Sequence, residues 1–354
     1  MISNQNFFNR AKVLPVDKFL EKVLFDKKDG YYSSNIPFGK KGDYLTAPGL
    51  SNLFSEVIGI WFVSSWNALG KPKKLNIVEL GPGDGNLTKV LIKTFKSFPE
   101  FNKATNIFLY EKSKLLKNLQ KKNINNARIK WIDNFSNIKN GPVIFFGNEF
   151  FDSIPIKQFL HKDGFLFEKY YSLKKNYTIK EIYKKASIKD ITQLKKFKTL
   201  KNLKFIEFPK SGFNELKKIV KKVSELSGGI LLIDYGYTKP KNQDTLQSLI
   251  KHKRNNLLDN LGKADITSLV NFSLLNEYFN KNNLKVKNIV SQKIFLEKMG
   301  IIERANNLSK KMSFKEQSNL YLRLKRLLDV KYMGNLFKVI FAYKFEKNNF
   351  LGFE

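Results

Sequence analysis

One stretch constrains this chain more than any other: the apolar run Leu75–Leu80, the turn Gly81-Pro82-Gly83-Asp84-Gly85, and then Asn86–Phe98. The run has the length of a strand. The turn carries three glycines spaced two apart. The last segment sets Leu87, Val90, Leu91, Phe95 and Phe98 at helical spacing. Strand, glycine turn and amphipathic helix predict a βαβ unit when another strand follows, and Ile107–Glu111 supplies it. The runs Pro142–Glu149 and Gly229–Tyr235 repeat the pattern of a strand buried on both faces. Two more β-like stretches, around Val286–Leu296 and Leu336–Phe345, can complete a sheet. The fold class expected is therefore α/β, with a Rossmann-like sheet.

Three regions exceed a minimal domain of this kind. Residues 1–70 precede the first strand and contain helix-like Val16–Phe25 and Leu53–Leu69. Residues from about 160 to 225 are Lys-rich with short β-like stretches, and residues 237–285 read as helical. The expected organisation is an N-terminal helical region over 1–70 and a main domain over 71–354 that carries insertions at these two places. Segments added at the carboxyl ends of strands are where such folds usually place substrate contacts.

The composition narrows the chemistry. With no cysteine and only two histidines, His161 and His252, the chain has neither disulfides nor a thiolate or histidine-rich metal centre. Its longest apolar runs are too short to span a bilayer. The opening MISNQNFFNRAKVLP reads as no secretory signal, so the cytoplasm is the expected address. The formal net charge of +33 has two readings. One is a polyanionic partner such as RNA. The other is compositional, because the lysines are scattered in pairs such as Lys73-Lys74 and Lys217-Lys218 rather than gathered in one arm.

The chemistry begins at Glu79-x-Gly81-x-Gly83-x-Gly85. Glycine there permits positive φ and lets a ligand approach bare backbone. A dinucleotide site needs helix N-terminal amides free for a pyrophosphate, typically within G-x-G-x-x-G. Here the third glycine follows two residues after the second, and Glu79 and Asp84 flank the turn. Those carboxylates would repel a pyrophosphate and suit the ammonium and sulfonium of S-adenosylmethionine. Asn86 and Leu87 open the following helix beside the turn. Glu111 ends the second strand, in place to accept bonds from both ribose hydroxyls. Asp133, after Ile129–Ile132, is a candidate for the adenine amine or else a solvated loop carboxylate.

The fourth strand run ends Asn148-Glu149-Phe150-Phe151-Asp152. A polar residue followed by aromatics is similar to the Asn-Pro-Pro-Tyr type of motif in amino-methylating enzymes. In that motif a side-chain amide and a backbone carbonyl hold the target nitrogen. Asn148, Glu149 and Asp152 are the candidate catalytic residues, with Asn148 also against the cofactor and Phe150 and Phe151 against the substrate. Glu149 and Asp152 add negative charge that suits a guanidinium. In the plainer reading both phenylalanines are core and Asp152 caps a helix beginning at Ser153 or Pro155.

Longer stretches resemble one family, the MidA-type proteins. They are GYYSSNIPFGKKGDYLTAP (Gly30–Pro48), LSNLFSEVIGIWFVSSWNALGKP (Leu50–Pro72), VELGPGDGNL (Val78–Leu87), GPVIFFGNEFFDSIPIKQF (Gly141–Phe159), IDYGY (Ile233–Tyr237), DTLQ (Asp244–Gln247), ADITSLVNF (Ala264–Phe272) and FLEKMGIIERA (Phe295–Ala305). They run in family order through almost the entire chain. The resemblance implies a seven-strand methyltransferase fold and S-adenosylmethionine as cofactor. For the family's mitochondrial members it implies symmetric dimethylation of an arginine in a respiratory complex I subunit, during assembly, and it sets the mitochondrial matrix as the alternative address beside the preferred cytoplasm. It also implies that Gly42, Asp43 and Thr46 belong to an N-terminal lid over the cofactor and that Asp265 and Thr267 lie near the substrate. The chain departs from the family where Asp84 replaces the usual Arg, Gly49 a Glu, and Asn271 a common Asp. These departures bear on the substrate more than on the cofactor, because Glu79, the three glycines and Glu111 remain.

The expectation is a protein arginine methyltransferase with Glu149 as general base. Three other readings stay open: an RNA methyltransferase, a non-catalytic assembly chaperone that keeps the fold, and a dehydrogenase.

Overall fold

The structure is a computed structural model that describes residues 4–8, 11–37, 39, 42–43, 46–346 and 349–353. Of the expected lid stretch, Phe38, Lys40, Lys41, Tyr44 and Leu45 lie outside the described residues.

Strand β1 (Leu75–Leu80) forms on the apolar run, with all six residues buried. It is followed by β2 (Thr105–Tyr110), β3 (Ile129–Ile132), β4 (Val143–Asn148), β5 (Gly228–Tyr237) and β6 (Phe337–Lys344). In space the order is β3-β2-β1-β4-β5-β6, parallel throughout except for β6. Side chains alternate between the two faces, as the pleat requires. Ile77 and Ile144 join a core beneath helices Asn52–Ala68 and Asn86–Phe95. Val78, Leu80, Val143 and Phe145 join a second core beneath helices Lys210–Leu226 and Phe272–Lys281. Burial on both faces is why these strands are apolar without a gap.

The sheet is larger than the seven strands expected. Val270–Asn271 adds to β5, and Lys285–Val286 and Val290–Ser291 add to β6, making nine strands among the described residues. The stretch 286–296 is thus two short strands followed by a helix, Gln292–Lys298. A second sheet of five strands takes Lys157–Lys162, Phe165–Leu173, Ile179–Lys185 and Phe205–Phe208, joined by Val13–Pro15 from the N-terminal region. Region 237–285 differs from the helical expectation. It holds a three-stranded sheet, Gln247–Ile250, Lys253–Asn255 and Asp265–Thr267, with helix only from Phe272 to Lys281. Strands of three or four residues carry too little periodicity to be separated from helix by pattern.

Chain order reverses between β1 and β4, because β2 and β3 lie to one side of β1 and β4 and β5 to the other. The crevice beyond the carboxyl ends of such a pair is where open α/β sheets bind ligands. The glycine turn and the Asn148–Asp152 turn both open there.

Candidate active site

A cavity of about 690 Å³ occupies that crevice. Glu79, Gly81, Gly83, Asp84 and Leu87 line it from the first βα unit, Glu111 and Ser113 from the end of β2, and Asn148, Glu149, Phe150 and Asp152 from the end of β4. Thr46 and Tyr32 reach it from the N-terminal region.

The glycine turn is built by backbone geometry. Gly81, Gly83 and Gly85 all have positive φ, at 61°, 59° and 81°. Gly81 N–H donates to the Tyr110 carbonyl, tying the turn to the end of β2. A Cβ on Gly81 would stand 3.1 Å from Phe150 Cδ2. Gly85 faces the other way, towards Ile124 and Gln120, and precedes the helix as its N-cap. The Asn86 side chain donates to the Pro48 carbonyl (2.8 Å), which moors the segment after Thr46 over the turn.

Glu79 is buried and accepts the Thr88 hydroxyl. Burial, opposed by Thr88 and reinforced by the negative charges of Asp84 and Glu111, pushes its carboxyl up to about 7. Glu111 is buried as well and accepts from Ser113 N–H (2.8 Å) and Gln120 Nε2 (3.1 Å). Burial raises its carboxyl above the ordinary range. The same Gln120 amide donates to the Gly83 carbonyl (2.9 Å), and its oxygen accepts from Trp131 Nε1 (3.0 Å). One side chain therefore fixes Glu111 relative to the glycine turn.

Beyond β4 the chain turns sharply. Glu149 takes a left-handed φ of 53°, its N–H donates to the Ile233 carbonyl (2.9 Å), and its Oε1 accepts from Asn148 Nδ2 (2.9 Å). Asp234, inside β5, accepts from the N–H groups of Phe151 (2.8 Å) and Asp152 (3.2 Å) and so holds the turn from below. Burial pushes Glu149 up to about 8, helped by the charge of Asp152. It also pushes Asp152 to about 7 and Asp265 to about 8, and raises Asp234 well above the usual carboxylate range. None of these four carboxyls has a cationic partner among the described residues. Elsewhere in this lysine-rich chain several buried acids do meet a cation: Asp17, Glu168 and Asp190 all face Lys157, and Asp190 also takes Lys210, whereas buried Glu207 is held by Gln158 and Thr245 instead. Buried charge is ordinarily paired, so Glu149 and Asp152, which line the cavity without a cation, backed by Asp234 and Asp265 behind the lining, mark a seat for a cation. Asn148 Oδ1 and Asp152 Oδ1 are moreover buried with no hydrogen-bond donor. Among the described residues no group of acidic or imidazole side chains is arranged to hold a metal ion.

Not every sequence candidate reaches the cavity. Asp133 is mostly exposed and pairs with Lys117, outside the lining. Phe150 lines the cavity, but Phe151 is buried in the core against Phe150 and Gly212. No helix begins at Ser153 or Pro155; the next element is the strand from Lys157. Asp265 and Thr267 lie behind the lining in the three-stranded sheet, where Asp265 accepts from the Tyr32 hydroxyl (3.1 Å). Gly42 is buried, and Asp43 accepts from Tyr31 Oη (2.6 Å) and Lys251 N–H (2.6 Å), mooring the N-terminal region to that same sheet. Sequence reasoning passed over Tyr32, Thr88, Ser113, Gln120 and Asp234. Only Asp234 carried a usable signal, a carboxylate inside an apolar strand run.

A glycine turn at the switch point, acids at the ends of β1 and β2, and a polar turn after β4 define a class: a Rossmann-like enzyme whose nucleotide cofactor carries positive charge. Residues 57–290 match the family model described as S-adenosyl-L-methionine-dependent methyltransferase, and the chain belongs to that family. Its cofactor is accordingly S-adenosylmethionine. The Xenopus laevis protein arginine methyltransferase NDUFAF7, mitochondrial, is 26% identical over 92% of this chain and 80% of its own length. The Caenorhabditis elegans homologue of NDUFAF7 is 28% identical over 83% of this chain and 75% of its own. The fold is shared with a Burkholderia thailandensis protein crystallised with S-adenosyl-homocysteine, at a TM-score of 0.82 and 20% identity over 96% of this chain and 90% of that one. The cytoplasmic address read from composition finds no support in these curated relatives, which are named mitochondrial. No helix among the described residues is long and apolar enough to cross a membrane.

Proposed function

We propose that this methyltransferase acts on the guanidinium of an arginine in a protein. The observation that carries the reading is the set of four buried carboxyls, Glu149, Asp152, Asp234 and Asp265, left without a cation in a chain that has 64 lysines and arginines. A guanidinium brings the missing charge and five donors in a plane. The curated relatives' names, protein arginine methyltransferase, support the same choice. A subunit of respiratory complex I is the acceptor to which the family resemblance points.

Glu79, the backbone of Gly81 and Gly83, and Asn148 would hold the methionine end of the cofactor, Glu111 its ribose, and Thr46 with Gly42 and Asp43 the lid above it. When bound, S-adenosylmethionine supplies a methyl group on a sulfonium. Glu149 and Asp152 orient the acceptor nitrogen, Phe150 flanks it, and Asp265 adds charge from behind. A guanidinium does not release its proton unaided near neutral pH. Burial holds the Glu149 carboxyl near 8 in the ligand-free protein; once ionised beside the bound cation, it takes that proton as the nitrogen gains its methyl group. The cavity's acids disfavour a phosphate-bearing acceptor such as RNA, whose charge they would repel.

The test is transfer of labelled methyl to proteins from cells lacking this gene, with RNA from the same cells in parallel. Label should appear as methylarginine. Glu149→Gln should reduce the rate by about 10²- to 10⁴-fold, the usual span for a lost general base, with S-adenosyl-homocysteine still bound in calorimetry. Label in RNA alone, or an undiminished rate in Glu149→Gln, removes the reading.

A further inference from the structure

An unbroken run of hydrogen bonds joins the glycine turn to the acidic seat. Gln120 Nε2 donates both to the Gly83 carbonyl (2.9 Å) and to Glu111 Oε2 (3.1 Å). Glu111 Oε1 accepts from Ser113 N–H (2.8 Å), and Ser113 Oγ donates to the Tyr32 carbonyl (2.8 Å). Tyr32 Oη then donates to Asp265 Oδ1 (3.1 Å). The run crosses from one wall of the cavity to the other through a single residue. That residue is held in plane by its ring, stacked on Phe25 with centroids 5.4 Å apart at 18°, and braced edge-on by Tyr31 at 5.0 Å and 77°.

The two ends of Tyr32 answer to different ligands. Its carbonyl follows Ser113, which shares a turn with Glu111, where the cofactor's ribose would sit. Its hydroxyl follows Asp265, whose charge bears on Asp152 at the acceptor end. A ligand that fixes either end orders the residue for the other, because the ordering cost of a shared element is met once rather than twice. The geometry points to Tyr32 as a positioning residue that couples the two halves of the cavity, so that cofactor and cationic acceptor each tighten the binding of the other. Coupling of this kind is reciprocal between the two ligands. It rests on the acceptor seat proposed above and adds to it a claim about order and mutual dependence.

The test is calorimetric and needs no turnover. S-adenosyl-homocysteine is titrated into the protein with and without ethylguanidinium at millimolar concentration, and the ratio of the two affinities is the coupling. In the wild-type protein that ratio should be about five-fold or more, within the ordinary range for coupled sites. In Tyr32→Phe the ring stays and the bond to Asp265 goes, and the ratio should fall towards one, whatever the variant's own affinity. Ser113→Ala cuts the run at its other end and should flatten the ratio too. A ratio near one in the wild-type protein while ethylguanidinium still binds, or a full ratio in both variants, overturns the coupling and leaves the acceptor seat standing. Ethylguanidinium that fails to bind, or that binds Asp152→Asn as well as wild type, overturns the seat and the coupling with it.

Discussion

Burial pushes the Glu149 and Asp265 carboxyls up to about 8 and that of Asp152 to about 7, against ordinary values of 4.5 and 3.8. Protons are therefore held by the folded chain that the unfolded chain has already released at neutral pH. Stability depends on pH through that difference. The contribution is fully present below the unfolded values and is lost as pH rises through about 7 to 8. The urea midpoint of the ligand-free protein should fall between pH 5 and pH 8.5, and Asp265→Asn should flatten the fall. A midpoint that rises over this range would contradict the direction. Activity should run the other way, increasing through the same window, because the seat attracts a cation only once its carboxyls ionise. Gly81 offers a second residue-scale test. Gly81→Ala places a side chain at a left-handed φ and 3.1 Å from Phe150. The backbone penalty is about 1–2 kcal/mol, and S-adenosyl-homocysteine affinity measured by calorimetry should drop at least about ten-fold, since 1.4 kcal/mol is a factor of ten.

Elements were legible where burial writes itself into the residue pattern. β1 spans Leu75–Leu80 as read, and helix Asn86–Phe95 starts where the glycines end. Helix Asn52–Ala68 and helix Val16–Phe25 also follow their apolar residues. The short antiparallel strands between 247 and 267 were not legible, because their partners are one another and their pattern is three residues deep. The site divides in the same way. Glu79, Glu111 and the Asn148–Asp152 turn stand at strand ends, a position that sequence can mark. Tyr32, 81 residues from its partner Ser113 and 233 from Asp265, is placed by tertiary packing alone. Packing between elements also makes a prediction. Gly59 lets helix Asn52–Ala68 approach helix Asn86–Phe95, with a Cβ at this position falling 2.9 Å from Thr94 Cγ2. Gly59→Val should destabilise the protein by about 1–3 kcal/mol through overpacking. It should also weaken cofactor binding, because the displaced helix carries the glycine turn. Unchanged denaturation and unchanged S-adenosyl-homocysteine affinity would show that the contact has slack.

At the scale of the whole molecule, charge sets the cavity against its surroundings. The chain carries a net +33 while the crevice between β1 and β4 gathers unpaired acid. An approaching arginine meets two fields of opposite sign. The exposed lysines repel it from a distance, over a screening length of about 8–10 Å at ordinary salt. The buried carboxyls attract it at contact and are screened far less. A peptide whose arginine is flanked by Asp and Glu escapes the first field and keeps the second, so acidic surroundings around the target should favour association. The kcat/KM for such a peptide should exceed that for a Lys-flanked one by about ten-fold or more at low ionic strength, in line with the electrostatic steering of association rates. The advantage should shrink as salt rises to 0.5 M, by acceleration of the Lys-flanked peptide as well as slowing of the acidic one. Equal rates at low salt would mean that the positive exterior does not reach the opening. A preference for the basic flank would contradict the charge argument outright, because the acids at the cavity rim, Glu21 and Glu215, are already paired with Lys18, Lys112 and Lys218.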